Sequence, residues 1–291
     1  MMMEIILTQD MVVERSRTLP GFPQIINDIL ATVDDPEANL NVLVDHIKHD
    51  PVIAARVLSR ANVAATKTRA LSEIRDIFTA TSLIGMTTVR EMAVISSIAG
   101  FVDEFSPSGM PAMFWQHSIA VGVCAEELAC HTATQVVGST ALVAGLLHDI
   151  GQLWLYRFNP EAFRAAWSQA LTHAIGIEEV ERERFGVDHS TIGNWLAGHW
   201  SLPVGICTSI GHHHTPDAVL GNQLVPLVHV SEVLSNALNL TGRDENRVTS
   251  ISASACRSIG LVWNDGVRPM FGRIEARSRH ANAMFDRAGE A

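Results

Sequence analysis

His148 and Asp149 stand side by side at the end of an apolar run that begins at Ala141 and reads ALVAGLL. Burying an imidazole or a carboxylate without a partner is costly, so hydrogen bonds, a salt bridge or a metal ion must satisfy this pair. Four other segments carry similar groups. His117 lies in WQHSIAVGVCAEELA, with Met113, Ala120, Val121, Cys124 and Leu128 at helical spacing around it. His189 follows Asp188, a residue suited to capping the helix that carries Ile192, Gly193 and Leu196. His212, His213 and His214 close a helix that begins near Pro203 and is stopped by Pro216. Glu232 sits in VHVSEVLSNAL, three residues after His229 and on a neighbouring face of one helix.

Each of these residues has an ordinary reading when taken alone: a hydrogen-bonded core histidine, a first-turn polar residue, a solvated helix end, a surface carboxylate. His46, His49, His131, His173, His199 and His280 are left to that reading. Five segments that each aim an imidazole or carboxylate at a helical core are a different matter. Imidazole and carboxylate with no nearby thiolate pair suit a first-row transition metal better than calcium or a structural zinc.

The elements that must position these groups are helices. After Pro23, Ile25, Ile26, Ile29, Leu30 and Val33 form a stripe for one buried helix face. Asp50-Pro51 is a start signal, cap followed by a first-turn proline, and Ile53, Val57, Leu58 and Ala61 continue that face. Thr88-Val89-Arg90-Glu91 fits a capping box opening a helix after Gly85. No alternating strand pattern of useful length occurs, so the expected class is all-α. The Pro, Ser and Gly of residues 103–111 and the polar stretch 241–247 divide the chain into an N-terminal helical lobe (1–108), a central core (109–240) and a C-terminal helical extension (241–291). In the extension, Val248, Ile251, Ala255 and Ile259 share a helical register expected to cap the core.

Composition narrows the function classes. The chain of 291 residues is 47% hydrophobic and 18% charged, with a formal net charge of -10. A duplex-binding protein needs a basic stripe, and no such stripe occurs before the tail after Arg268, where acids are interspersed. Direct nucleic-acid binding is therefore not expected. The longest strongly apolar stretch, 136–147, falls short of the ~20 residues that span a bilayer. MMMEIILTQD has no basic region and no cleavage pattern, so the expectation is a cytoplasmic protein without a membrane segment. The four cysteines form no CxxC pair and read as small buried hydrophobes.

The order His117, His148-Asp149, then the carboxylate of SEVL resembles the H...HD...D signature of the HD-domain superfamily of metal-dependent phosphohydrolases. More narrowly, the chain resembles the HDOD family, the HD-related output domain of bacterial signalling proteins. The resemblance is carried by LPGFPQIINDIL, IKHDPVIAARVLSRANVAA, SLIGMTTVREM, WQHSIAVG, GLLHDIGQLWL, VDHSTIGNWLAGHWSLP and IGHHHTP, over roughly residues 17–240. It implies an all-helical fold with an N-terminal lobe packed on an HD-like core. It also implies a ligand set of His117, His148, Asp149, His189, the pair His213 and His214, and Glu232 in place of the usual Asp. Asp149 would lie between two metals where two are bound, while His212 and His229 stand behind the ligands. The longer Glu232 side chain would shift the metal or swing its carboxylate aside. The implied cofactor is one or two divalent transition metal ions, with iron the first choice and manganese or zinc the alternatives.

The related HD-GYP phosphodiesterases carry HDIGK and a GYP loop. Here Gln152 stands in place of that Lys, and the histidines are followed by TPDAVLGN. Arg157 and Arg164 are the nearest cations along the chain, and both suit a solvated surface. The resemblance thus implies a regulatory signal-transduction module with a metal site, acting on partner signalling proteins. The alternative is a metal-dependent phosphohydrolase with Asp149 as its catalytic residue. A third reading is redox chemistry at a di-iron centre. The long helical faces at the two ends suit a homodimer.

Overall fold

In the computed structural model, residues 6–31, 36–67, 74–105, 112–219, 221–241 and 250–286 are described. Among them the helices are α1 (Gln9–Ser16), α2 (Gln24–Ala31), α3 (Pro36–His49), α4 (Pro51–Lys67), α5 (Ile77–Ile84), α6 (Met86–Phe105), α7 (Ala112–His131), α8 (Gly138–Leu147), α9 (Ile150–Phe158), α10 (Pro160–His173), α11 (Ile177–Phe185), α12 (His189–His199), α13 (Val204–His212), α14 (Leu224–Ala237), α15 (Ala253–Ser258) and α16 (Arg268–Asp286). No strand occurs among the described residues, and none of these helices is long and apolar enough to cross a membrane. The chain is all-α.

Two compact units emerge, one of residues 1–21 with 103–280 and the other of residues 22–102 with 281–291. In the second, Ile25, Ile26, Ile29 and Leu30 of α2 are buried, as their spacing predicts; Val33 lies outside the described residues. Asp50 caps α4 by accepting from the backbone N–H of Val52 and Ile53 at 2.9 and 3.0 Å. The expected capping box at Thr88–Glu91 is corrected. Gly85, at φ 86°, ends α5, and α6 starts at once with Met86, so Thr88 lies within a helix already begun. A threonine there cannot take the extended backbone that a cap requires.

The first unit holds α1, α7 to α15 and most of α16, and positions the site. Every residue of α8 from Ala141 to Leu147 is buried, as expected for a helix apolar all round. It packs on α7 at backbone contact: a Cβ added to Gly145 would stand 2.7 Å from Gly122 Cα. That approach brings His117, on α7, alongside His148 at the end of α8. The N-terminal helix α1, capped by Thr8, belongs to this unit, where the Trp154 indole donates to Ser16 Oγ at 3.1 Å.

The boundary segment after Phe105, the polar stretch 242–247 and Val248 lie wholly or mainly outside the described residues. Downstream, the single register through 248–259 is corrected: Ile251 precedes Ser252, whose hydroxyl caps the short α15. Cys124 and Cys256 are buried, but Cys130, near the end of α7, is exposed, correcting its assignment to the interior. The α16 helix is fastened to α7 by Arg273 and Arg277, which donate to the buried Glu127 at 3.1 and 2.8 Å; Arg277 also pairs with Glu126.

Candidate metal centre

Five segments of the first unit converge on one carboxylate. Asp149 precedes α9, and His148 ends α8. The His148 ring places Nε2 3.4 Å from Asp149 Oδ2, and His117 Nε2 lies 4.0 Å from the same oxygen. The other oxygen, Oδ1, stands 3.2 Å from His189 Nε2 and 3.7 Å from His213 Nε2. His214 approaches His189, Nε2 to Nε2, at 2.9 Å. Glu232 Oε2 reaches 3.8 Å from His214 Nδ1.

Local structure explains each placement. Asp188 accepts from the Thr191 N–H at 2.9 Å and caps α12, so His189 opens that helix as its sequence predicts. Helix α13 ends at His212, and the chain then turns before Pro216, leaving His213 and His214 at its end. Glu232 and His229 both lie on α14.

Two groups of ligand atoms result, each within 4.8 Å: Asp149, His189, His213 and His214 in one; His117, His148 and Glu232 in the other. All seven residues singled out in the sequence as ligands fall in these groups, with the two Asp149 oxygens turned toward different groups. His212 falls in neither, and its ring meets Thr215 Oγ1 at 3.4 Å. His229 lies behind the cluster, its Nδ1 2.8 Å from the carbonyl oxygen of His213.

Hydrogen bonding decides which ring nitrogens carry protons. His148 Nδ1 faces the Gly145 carbonyl at 2.8 Å, and His213 Nδ1 faces the Ile210 carbonyl at 2.8 Å. A carbonyl oxygen only accepts, so both Nδ1 atoms are donors, and in the neutral His148 ring Nε2 presents a lone pair. The Nε2 atoms of His148 and His213 are both buried, make no hydrogen bond, and face a carboxylate. Lone pair against carboxylate is repulsive unless a cation lies between. The donor set therefore fits a divalent transition metal, with nitrogen and oxygen ligands and no thiolate.

Burial pushes the His148 imidazole down to about 3, so this ring is neutral. Burial opposes a charged Asp149, but the charge and the hydrogen bond of His189 outweigh it and hold the carboxyl well below the ordinary range. Burial likewise opposes a charged His189, yet Glu181 and Asp149 outweigh it and raise this ring well above its ordinary value. His214 is lowered by burial and by its histidine neighbours. Burial, reinforced by the Asp149 charge, pushes Glu232 up to about 7.

One residue of the site escaped sequence reasoning. Glu181, wholly buried on α11, accepts from His189 Nδ1 at 2.5 Å and from the His189 backbone N–H at 2.8 Å. A carboxylate behind a ligating histidine fixes the tautomer and the ring orientation, as in many metal sites. Its segment, IEEVERERF, reads as a solvated charged helix, and the available signal was the apolar Ile177, Val180 and Phe185, which share a helix face with Glu181.

The profile of the HDOD domain matches residues 19–216. The chain belongs to the HDOD family. The HDOD chain is also 25% identical over 216 residues to an uncharacterized protein of Treponema pallidum (strain Nichols), a match covering 70% of this chain and 39% of that protein. It thus spans well under half the length of that relative. Among solved structures it is similar to an HDOD domain protein with unknown function from Geobacter sulfurreducens, with TM-score 0.67, 24% identity, and coverage of 96% and 93% of the two chains. A provisionally named phosphohydrolase from Shewanella amazonensis SB2B gives 0.65 and 23%, covering 94% and 96%. A provisionally named signal transduction protein from Marinobacter aquaeolei VT8 gives 0.74 and 20%, covering 97% of this chain and 62% of that one. At these identities the likeness to the solved structures is one of fold.

Proposed function

We propose that this HDOD chain is a regulatory signalling module that binds a divalent first-row transition metal and acts through partner signalling proteins. The observation that carries the metal reading is the pair of buried Nε2 atoms of His148 and His213 that make no hydrogen bond and are directed at the Asp149 carboxylate. On this reading Asp149, His189, His213 and His214 hold one ion. His117, His148 and Glu232 are the donors for a second, with Asp149 between them. Iron is the first choice for this histidine-rich set with two carboxylates, and manganese or zinc would satisfy the same donors.

The regulatory reading rests on what surrounds the carboxylate. Among the described residues the ion pairs of Asp149 are all with histidines. Gln152, at the position of the HD-GYP lysine, is buried on α9 and brings a neutral amide. Arg157 and Arg164 are exposed. The motif thus offers the donors for a metal without the cation that would hold a phosphate.

A second reading, phosphoester hydrolysis, is favoured by one feature: a single aspartate lies between two donor groups, one oxygen toward each. A bound divalent metal supplies an activated water, its pKa lowered to roughly 7, and polarises a phosphoryl oxygen. Asp149 is then the residue that orients the nucleophile.

Metal content per chain, measured in the purified protein beside Asp149→Ala, tests the site, and a phosphoester screen of the loaded protein separates the two readings. The expected result is near-stoichiometric metal lost in Asp149→Ala, with no turnover. Metal-dependent turnover that vanishes in Asp149→Ala overturns the regulatory reading, and a wild type without metal overturns the site.

A further inference from the structure

Behind the donor cluster, hydrogen bonds run outward from His213 to the protein surface. The His213 carbonyl accepts from His229 Nδ1 at 2.8 Å. On the far edge of the same ring, His229 Nε2 accepts from the backbone N–H of Ser252 at 3.1 Å. A peptide N–H only donates and a carbonyl only accepts, so both contacts demand one tautomer, with the proton on Nδ1. The imidazole is thereby a rigid strut between two backbones.

Ser252 is the residue that begins α15, its hydroxyl accepting from the Ala255 N–H at 3.1 Å. The hydroxyls of Ser252 and Ser254 also donate to Asp217, in the 3₁₀ turn Pro216–Ala218 that follows His214. The stretch 213–217 therefore carries two donors of the first group and is tied to the start of α15 twice, through His229 and through Asp217. Pro216, Asp217, Ser254, Ala255 and Ser258 line part of a surface cleft of about 860 Å³, so the start of α15 is presented outward.

We infer that His229 is a positioning residue that couples metal occupancy at Asp149, His189, His213 and His214 to the order of α15, so that the loaded state is displayed at the surface as a tightened Ala253–Ser258 turn. This rests on the metal reading of the site given above. Filling the donor group restrains the His213 and His214 rings and the backbone that bears them. The strut passes that restraint to the Ser252 amide. Linkage is reciprocal, so loosening α15 weakens metal binding by the same factor.

The test is hydrogen exchange over residues 250–258 in the whole chain, free and loaded with zinc(II), for the wild type, Ser252→Ala and Ser252→Pro. The Ser252 φ of -69° suits proline. Proline therefore removes the amide that His229 accepts, together with the hydroxyl, whereas alanine removes the hydroxyl alone. Zinc is expected to slow exchange roughly fivefold or more in the wild type and Ser252→Ala. Ser252→Pro is expected to show no slowing and to bind zinc more weakly by a matching factor, while melting as Ser252→Ala does. Slowing retained in Ser252→Pro, or absent from a wild type that binds zinc, overturns the coupling and leaves the metal site standing. A wild type that binds no zinc overturns both, and the zinc count alone identifies that case.

Discussion

Gly151 and His189 meet through their backbones: a Cβ added to Gly151 would fall 2.0 Å from the His189 carbonyl oxygen. Asp149 leads into the helix that carries Gly151, and His189 opens the helix it abuts, so this contact sets the spacing between the two residues. The obstacle is backbone, which has no rotamer to escape into. Gly151→Ala is therefore expected to push α9 and α12 apart and to destabilise the chain by about 3 kcal/mol, the upper end of ordinary overpacking. Urea denaturation together with metal content checks it: both the midpoint and the metal per chain should fall.

Glu181 holds the His189 ring from behind. Glu181→Gln keeps one oxygen as acceptor but removes the charge that raises His189. Loss of such a supporting carboxylate typically weakens metal affinity by roughly 10- to 100-fold. A competition titration with a chromophoric chelator should show that loss, with far-UV circular dichroism unchanged.

Metal binding should release protons. Glu181 and Asp149, overcoming burial, keep His189 protonated well above its ordinary range in the metal-free protein, and a metal on Nε2 must displace that proton. Affinity should therefore rise with pH. Calorimetry in buffers of different ionisation enthalpy measures the protons released, and values independent of buffer would refute the displacement. Saturating metal at about 100 times Kd should add roughly 2.7 kcal/mol of stability, removed again by chelation.

Far from the cluster, the Glu127 pair carries a pH signature. Burial alone would raise this carboxyl, but hydrogen bonds and charges from Arg277 and Arg273 outweigh it and bring Glu127 below its reference value of 4.5. A group with a depressed folded pKa contributes stability above its unfolded pKa and loses it as pH falls through the folded one. Arg277→Met takes this arginine from the buried Glu126 and leaves Glu127 with Arg273, and should cost roughly 3 kcal/mol at pH 7. Because the contribution vanishes with protonation, the gap between wild type and variant should close as denaturation is repeated below pH 4.5. A gap constant with pH would assign Arg277 a packing role alone.

Much of the site was legible before the fold. Asp50, Asp188 and Pro203 mark helix starts by local chemistry, which depends on a few neighbouring residues. The apolar surroundings of His117 and of the His148-Asp149 pair exposed them as polar groups in a helical interior. The capping box at Thr88 misled because the same four letters serve equally inside a helix, and only the left-handed Gly85 shows where the chain turns.

By itself the amino-acid order determined the helical class, the helix starts at Asp50, Asp188 and Pro203 and the types of donor available, because these depend on periodicity and on contacts within a turn or two. The tertiary structure decided which oxygen of Asp149 faces which histidines, that Glu181 is buried behind His189, and that His229 bridges His213 to Ser252. Those relations join residues on different helices. Close packing at Gly122, Gly145 and Gly151, where the missing side chains set how near the backbones come, fixes the spacing of the helices that bear His117, His148, Asp149 and His189.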